Sequence, residues 1–301
     1  MSAEAQATAR AYIVVDGKSG HVLLRDEQDD RLPVASLTKV ATAVVALDWA
    51  EVTNTDLSDR VVLPTSIQTV GGVNPVGLQP GDEISIRDLL YSALMQSDNR
   101  AAYAVALYVG SKLGRTTNAE AAEVSFVKQM NALAKKLAMT RTGFINPHGL
   151  DSREEAGLST AEDMARLARY ALDHRGFLFY VSQPKRQITF YRNGEPYVYE
   201  IRNTNEMLGM RNIGGVDTKI DGIKTGMTSR AGGCLIISAE RPPLTRALGG
   251  GEVEVTPRRL IVVILGSNNR FGVAGSLLEK GWREYQSWAS EGRPTRKSSS
   301  L

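Results

Sequence analysis

The chain has 301 residues, 42% of them hydrophobic, enough to bury a proper core as one large domain or as two subdomains sharing an interface. Its 36 Lys and Arg side chains barely outnumber 33 Asp and Glu, and a net charge of +3 without any long basic block gives no case for a nucleic-acid partner. The single cysteine, Cys234, excludes an intramolecular disulfide and a cysteine-rich zinc site and reads as a core thiol, and no stretch approaches the ~18 apolar residues that would span a membrane.

Residues 1–7 lack the charged-then-apolar plan of a signal peptide, so the chain is expected to be either cytoplasmic or a mature form given a new start codon. The first elements expected are two strands, residues 11–15 and 21–24, joined through Asp16, Gly17, Lys18, Ser19 and Gly20 as a β-hairpin. Leu32-Pro33-Val34-Ala35 then leads into Ser36-Leu37-Thr38-Lys39 and an apolar, alanine-rich run over residues 40–49, the pattern of a buried helix entered at Ser36. A helical stretch over residues 85–108 is broken at Ser97-Asp98-Asn99, a helix end followed by a new N-cap. Further helices are expected over residues 119–139 and 160–174, the latter capped by Ser159 or Thr160 with Asp163 in its first turn.

Beyond residue 175 the pattern changes to strands. Residues 187–191 and 197–202 flank Asn193-Gly194, a hairpin signal, and residues 221–223, 234–239 and 260–265 read as later strands. A closing helix over residues 273–288 and a polar, disordered tail over residues 290–301 complete the expectation. Strands at both ends with helices between them predict an α/β fold whose mainly antiparallel central sheet is built from two distant segments, flanked by helices, with a helical subdomain inserted. The expected division is a single domain over residues 1–289, with an α/β part at 1–60 and 175–289 and a helical part at 61–174.

Three short motifs carry the chemistry: Ser36-Leu37-Thr38-Lys39, Ser97-Asp98-Asn99 and Lys224-Thr225-Gly226, in that order. Each alone is weak, and decoys exist at Ser125 with Lys128, Ser182 with Lys185, Ser267-Asn268-Asn269 and Lys18-Ser19-Gly20. Position separates them, because a nucleophile needs an exposed hydroxyl and an adjacent base. Ser36 opens a helix and shares a face with Lys39, whereas Ser125 lies inside one and Pro184 interrupts the Ser182 match.

A serine hydroxyl is a poor nucleophile without a base, and a lysine can serve when burial and nearby cations lower its pKa toward neutrality. Lys39 has the position for that base, and Lys224 supplies the second cation. The amides of Ser36 and Met227 are the expected oxyanion donors, and Gly226 leaves room for a substrate along the strand. Lys224 and Thr225 offer a charge and a hydroxyl to a substrate carboxylate. Ser97 would relay a proton to the leaving amine, and Asn99 would position Lys39 or pair with a peptide amide. His21, His148 and His174 are the only histidines; His148 is read as loop-shaping, the other two as a hairpin residue and a helix end, and neither a G-x-S-x-G elbow nor H-E-x-x-H occurs. The site calls for no cofactor or metal.

With these motifs in place the chain resembles the low-molecular-mass penicillin-binding proteins, the D-alanyl-D-alanine carboxypeptidase family of serine peptidases. The likeness runs from about Ala11 to Trp288 and includes residues 33–39, 97–102 and 221–228, Asn146-Pro147-His148-Gly149-Leu150-Asp151 and Arg202-Asn203-Thr204-Asn205. It implies a β-lactamase/transpeptidase-like fold and an acyl-enzyme formed on Ser36 by peptidoglycan stem peptides ending in D-Ala-D-Ala, with β-lactam antibiotics as covalent inhibitors. Arg270 is a further carboxylate contact on the same grounds. The resemblance also implies an extracytoplasmic, periplasmic setting in which a signal peptide has been removed, while no membrane anchor is visible in this sequence. Two alternatives share the catalytic set. One is a D,D-endopeptidase cutting peptidoglycan cross-links; the other is a class A β-lactamase, which is expected to carry an E-x-x-L-N stretch where this chain has Glu155-Ala156-Gly157-Leu158-Ser159. A non-catalytic binding domain is the third possibility, and the intact triple counts against it.

Overall fold

The structure is a computed structural model describing residues 8–301 except Arg153, Gly214, Val216, Gly251 and residues 295–299. Strands β1 (Ala11–Asp16) and β2 (Val22–Asp26) form the expected hairpin, and β3 (Leu32–Pro33) passes through one 3-10 turn at Ala35–Leu37 into helix α1 (Thr38–Thr53). Strands β4 (Arg60–Val62) and β5 (Glu83–Ser85) precede helices α2 (Ile86–Met95), α3 (Asn99–Gly114) and α4 (Ala119–Lys136). Then come β6 (Leu158–Ser159), α5 (Ala161–Asp173), α6 (Phe177–Val181) and the hairpin β7 (Lys185–Arg192) and β8 (Glu195–Arg202). Strands β9 (Lys219–Thr228), β10 (Gly232–Gly249) and β11 (Glu252–Ser267) and helix α7 (Arg270–Ser290) close the chain.

The main sheet has the order β2-β1-β11-β10-β9, with every neighbouring pair antiparallel. It is built from two distant segments, as the strand pattern predicts. Period-two alternation gives it two apolar faces. Ile13, Val15, Ile236, Ile261 and Val263 join the core shared with α1 and α5, while Val14, Leu235, Ile237, Leu260 and Val262 pack under α7 with Trp282 and Tyr285. Helix α1 is buried on all sides from Thr38 to Leu47, so its one lysine, Lys39, is carried into the interior.

Helix boundaries follow local chemistry. Ser85 caps α2, Asp98 caps α3 and Thr160 caps α5, each accepting a backbone N–H at 3.0 Å. Helix α7 starts earlier than expected because Asn269, not a later residue, supplies the cap.

Three expectations need correction. The Asn193-Gly194 hairpin was expected within the α/β part but joins a separate sheet of order β4-β5-β7-β8, because β7 pairs with β5 through Tyr191 and Phe190. The predicted strands at 234–239 and 260–265 are the inner halves of longer strands. Past Glu240 and Arg259 these run on as a two-stranded ribbon, with Pro242 and Pro243 at a register shift that spares the ladder their missing N–H groups. Of the tail expected to be disordered, Ser290 is the last residue of α7, Pro294 O accepts from Trp288 Nε1, and Leu301 N donates to Gly20 O while Ser300 bridges His21; residues 295–299 lie outside the described part.

Candidate active site

Ser36 sits in the 3-10 turn that feeds α1, half-buried at the helix entrance. The preceding Ala35 has φ 47°, a left-handed conformation that costs an L-residue about 1–2 kcal/mol. Its carbonyl accepts the Thr38 hydroxyl at 2.9 Å, which holds the turn in that shape. One turn later Lys39 Nζ lies 2.9 Å from Ser36 Oγ, 2.7 Å from Asn99 Oδ1 and 2.7 Å from the His148 carbonyl. Asn99 cannot turn round, because its Nδ2 donates to Gly71 O at 3.1 Å. Two acceptors are therefore fixed on the amine, and the third neighbour is the one group able to donate. An ammonium at Lys39 can donate to all three oxygens, and a neutral amine keeps the bonds to Asn99 and His148 and turns its lone pair to the Ser36 hydroxyl, so the same geometry holds either form in place.

Electrostatics favour the neutral form near pH 7. Burial pushes Lys39 down to about 7 from an ordinary value of 10.5, opposed by the nearby Asp98 carboxylate. Lys224, also fully buried, is held well below its ordinary value by burial first and then by the Lys39 and Arg270 cations. Asp98 is raised by its own burial, against the pull of the Ala101 amide that it caps and of Lys39.

Strand β9 forms the opposite wall. A side chain on Gly226 would place its first carbon 3.1 Å from Ser36 N and 3.2 Å from Val34 O, so the strand passes directly against the Ser36 turn. Within it Lys224 Nζ donates to Thr225 O at 2.8 Å, and the Thr225 hydroxyl lies 2.6 Å from that of Thr204. Met227 is exposed at the rim. Arg270 reaches the same strand from α7 and donates to Gly226 O at 2.8 Å. Ser97, with φ 64°, stands in the connection between α2 and α3 immediately before Asp98; among the described residues no hydrogen bond joins it to Lys39 or Lys224.

The decoys fall elsewhere. Ser125 donates to Ala121 O inside α4, Ser267 donates to Thr8 O, and Lys18-Ser19-Gly20 lies in the β1–β2 turn. His21 stacks on Trp288, and His174 ends α5 beside Asp48 and Glu51.

Several groups that build the site lie outside the three catalytic motifs, in the 146–151 and 202–205 blocks. Burial pushes His148 down to about 3, so its ring is neutral; the useful part is its carbonyl. Asn146 Oδ1 accepts the His148 and Gly149 amides, and Thr42 donates to Pro147 O, so the 146–151 loop is fixed from both sides. Thr228 then donates to Asp151 Oδ2 at 2.6 Å, tying the loop to β9. Thr204 N donates to Met95 O and Asn205 Nδ2 to Gly222 O, fastening the other end of that strand.

This geometry has known counterparts. A family model described as D-alanyl-D-alanine carboxypeptidase matches residues 1–245. The chain belongs to that family. D-alanyl-D-alanine carboxypeptidase DacC of Escherichia coli is 33% identical over 286 residues, covering 92% of this chain and 62% of the relative. A D-alanyl-D-alanine endopeptidase of Pseudomonas aeruginosa is 34% identical over 228 residues, covering 75% of this chain and 65% of the relative. The chain thus spans less than two thirds of either relative's length. Among solved structures, penicillin-binding protein D2 of Listeria monocytogenes in its cefotaxime-bound form is 27% identical, with a TM-score of 0.68 over 93% of this chain and 100% of that one. The fold is accordingly the β-lactamase/transpeptidase-like α/β architecture of the penicillin-binding proteins.

Proposed function

We propose that this protein is a serine D-alanyl-D-alanine carboxypeptidase that removes the terminal D-Ala from peptidoglycan stem peptides through an acyl-enzyme on Ser36. One observation carries the reading: a fully buried Lys39, at about 7, lies 2.9 Å from Ser36 Oγ with its other two neighbours restricted to accepting. Such an amine is a general base tuned to neutral pH.

Ser36 Oγ attacks the carbonyl carbon of the penultimate D-Ala and its proton passes to Lys39 Nζ. The tetrahedral oxyanion is taken by the Ser36 and Met227 amides, a reading supported by the close approach of Gly226, the residue before Met227, to Ser36 N. Collapse breaks the C–N bond, and the departing amine receives a proton through the Ser97 hydroxyl. Water then frees the shortened peptide from the serine ester. The terminal carboxylate lies at Lys224 and Thr225, where an arriving anion favours the charged form of Lys224 against the burial that holds it down, and Arg270, bonded to Gly226 O, adds a cation to the same strand. Asn99 keeps the Lys39 amine aimed.

β-Lactams would acylate the same serine, in keeping with the cefotaxime-bound relative. The substrate places the protein outside the cytoplasm; among the described residues no helix is long and apolar enough to cross a membrane. The endopeptidase of Pseudomonas aeruginosa keeps cross-link cleavage as a second reading, decided by comparing D-Ala release from a pentapeptide with scission of a cross-linked dimer. For the β-lactamase alternative, Glu155 lines a cavity with Arg230, and no carboxylate among the described residues hydrogen-bonds Ser36 or Lys39.

Intact-mass measurement after mixing with excess benzylpenicillin tests the assignment. A persistent one-to-one adduct is expected, absent in Ser36→Ala. Rapid penicillin loss without an adduct would move the assignment to β-lactamase, and intact penicillin without an adduct would leave a binding domain. The acylation rate is also expected to rise with pH through a midpoint near 7, because only the deprotonated Lys39 can accept the serine proton. A rate that is flat between pH 6 and 8, a window of about one unit either side of that midpoint, would show that the titrating base is not Lys39.

A further inference from the structure

At the far end of β9 the surface opens into a cavity of about 360 Å³. Its walls carry Arg31, Arg230, Glu154 and Glu155, and its apolar floor includes Ile145 and Leu158. Two cations and two anions line one concavity, yet among the described residues none pairs with another. Among the described residues, the only side-chain hydrogen bond any of them makes is Arg31 Nε to Arg141 O at 3.0 Å. Their charged ends keep donor and acceptor capacity for something else.

The cavity is built from the segments that hold the nucleophile. Leu158 exchanges backbone hydrogen bonds with Gly143, and β6 pairs with β3, which leads straight into the Ser36 turn. Arg230 belongs to the turn between β9 and β10, four residues past Gly226, and Thr228 between them is bonded to Asp151. With the substrate carboxylate at Lys224 and Thr225 and the scissile carbonyl at Ser36 beside Gly226, the residues ahead of the scissile bond must run along β9 toward Thr228. At about 3.3 Å per extended residue, the residue before the acyl D-Ala falls near Thr228, and a side chain of a few methylenes covers the rest of the way.

We propose that this cavity binds the side-chain end of the stem-peptide residue preceding the D-Ala-D-Ala pair, and selects an end that carries both an ammonium and a carboxylate on one carbon, as in a diaminodicarboxylic acid. This rests on the carboxypeptidase reading above. The arginines take the carboxylate through paired N–H groups, the glutamates take the ammonium, and the methylenes lie on the apolar floor. A lysine-type side chain brings only the ammonium and leaves the arginines unpaired; an amidated end removes the charge they read.

The test uses three pentapeptides identical except at the third residue: meso-diaminopimelate, its carboxamide, and L-lysine. D-Ala release gives kcat/KM, and each peptide's slowing of benzylpenicillin acylation gives its binding whether or not it is cleaved. The diaminopimelate peptide is expected to exceed the other two at least about tenfold in both readouts, the lower end of what one charge-assisted hydrogen bond supplies. In Arg230→Gln the ratio over the carboxamide falls toward one, and in Glu155→Gln the lysine peptide weakens with the diaminopimelate peptide. Adduct formation with benzylpenicillin reports that each variant is folded. Equal values for the three peptides, or a preference unchanged in Arg230→Gln, overturns the proposal. If no peptide is cleaved, the peptidase reading fails, and the competition data still decide the subsite: a graded competition supports it and a uniform one sinks it.

Discussion

Lys39→Met is expected to slow acylation of Ser36 by benzylpenicillin about a thousand-fold, within the range that general-base catalysis contributes, while the protein stays folded. Methionine matches the lysine stem in length and packs in the same apolar helix environment. The loss is chemical: no other base lies within hydrogen-bond reach of Ser36 Oγ among the described residues. Two buried acceptors, Asn99 Oδ1 and the His148 carbonyl, lose their donor, at about 1–3 kcal/mol each. Against this the variant no longer buries an amine. The balance depends on pH with a definite sign. The unfolded chain holds a proton on Lys39 up to about 10.5, whereas the folded protein releases it near 7, so between those values the unfolded state binds more protons. Wild-type stability should therefore rise relative to Lys39→Met as pH increases from about 7 toward 10.5, and the burial penalty should be fully present below 7. Thermal melts across that range check the linkage, and stopped-flow acylation checks the chemistry. Near-normal acylation in the variant would remove Lys39 from the mechanism.

What the sequence disclosed about this site, and what it hid, divides along a physical line. Ser36 and Lys39 are three residues apart on an apolar helix, so their proximity is a matter of helical geometry and was readable. Ser97-Asp98-Asn99 was legible as a helix break because aspartate is a good N-cap, and Asp98 does cap α3. Lys224-Thr225-Gly226 read as a strand facing the nucleophile, and the contact of Gly226 with Ser36 N is what that strand needs to make. Each of these signals resides in side-chain type and local spacing.

The hidden parts use backbone atoms or long-range pairing. The carbonyl that completes the Lys39 environment belongs to His148, a residue whose ring attracts attention while its backbone does the bonding. Thr204 and Asn205 belong to a block the resemblance marks but whose residue types give it no chemical role, and Asp151 finds Thr228 only because the 146–151 loop crosses to the strand. In the fold, the Asn193-Gly194 turn correctly announced a hairpin, but nothing in its alternation says which sheet it joins; three-residue β5 supplies that information and is too short to read. The outer ribbon was missed because Pro242 and Pro243 argue against a strand interior, and a register shift absorbs them.

Gly149→Ala is expected to lower the acylation rate by about a hundred-fold or more, although the residue touches neither Ser36 Oγ nor Lys39 Nζ. Gly149 has φ +81°, and a methyl group there would stand 2.0 Å from the Ala35 carbonyl oxygen and 2.9 Å from Thr38 Oγ1. Neither partner can yield cheaply. The Ala35 carbonyl is already bonded to Thr38 Oγ1 and sets the strained turn that presents Ser36. If the turn moves, the Ser36 hydroxyl is misaimed; if the loop moves, the His148 carbonyl leaves Lys39 and Asp151 leaves Thr228. Either route displaces a reacting group by something near 1 Å, which is enough for a loss of that size. Left-handed strain adds about 1–2 kcal/mol and should lower the melting temperature by several degrees. Gly176→Ala separates the two effects, since Gly176 has φ +86° with nothing within 4 Å of the added carbon. It should reproduce the melting shift and leave acylation intact. If Gly149→Ala acylates as fast as Gly176→Ala, then the contact between the 146–151 loop and the nucleophile turn does not position Ser36.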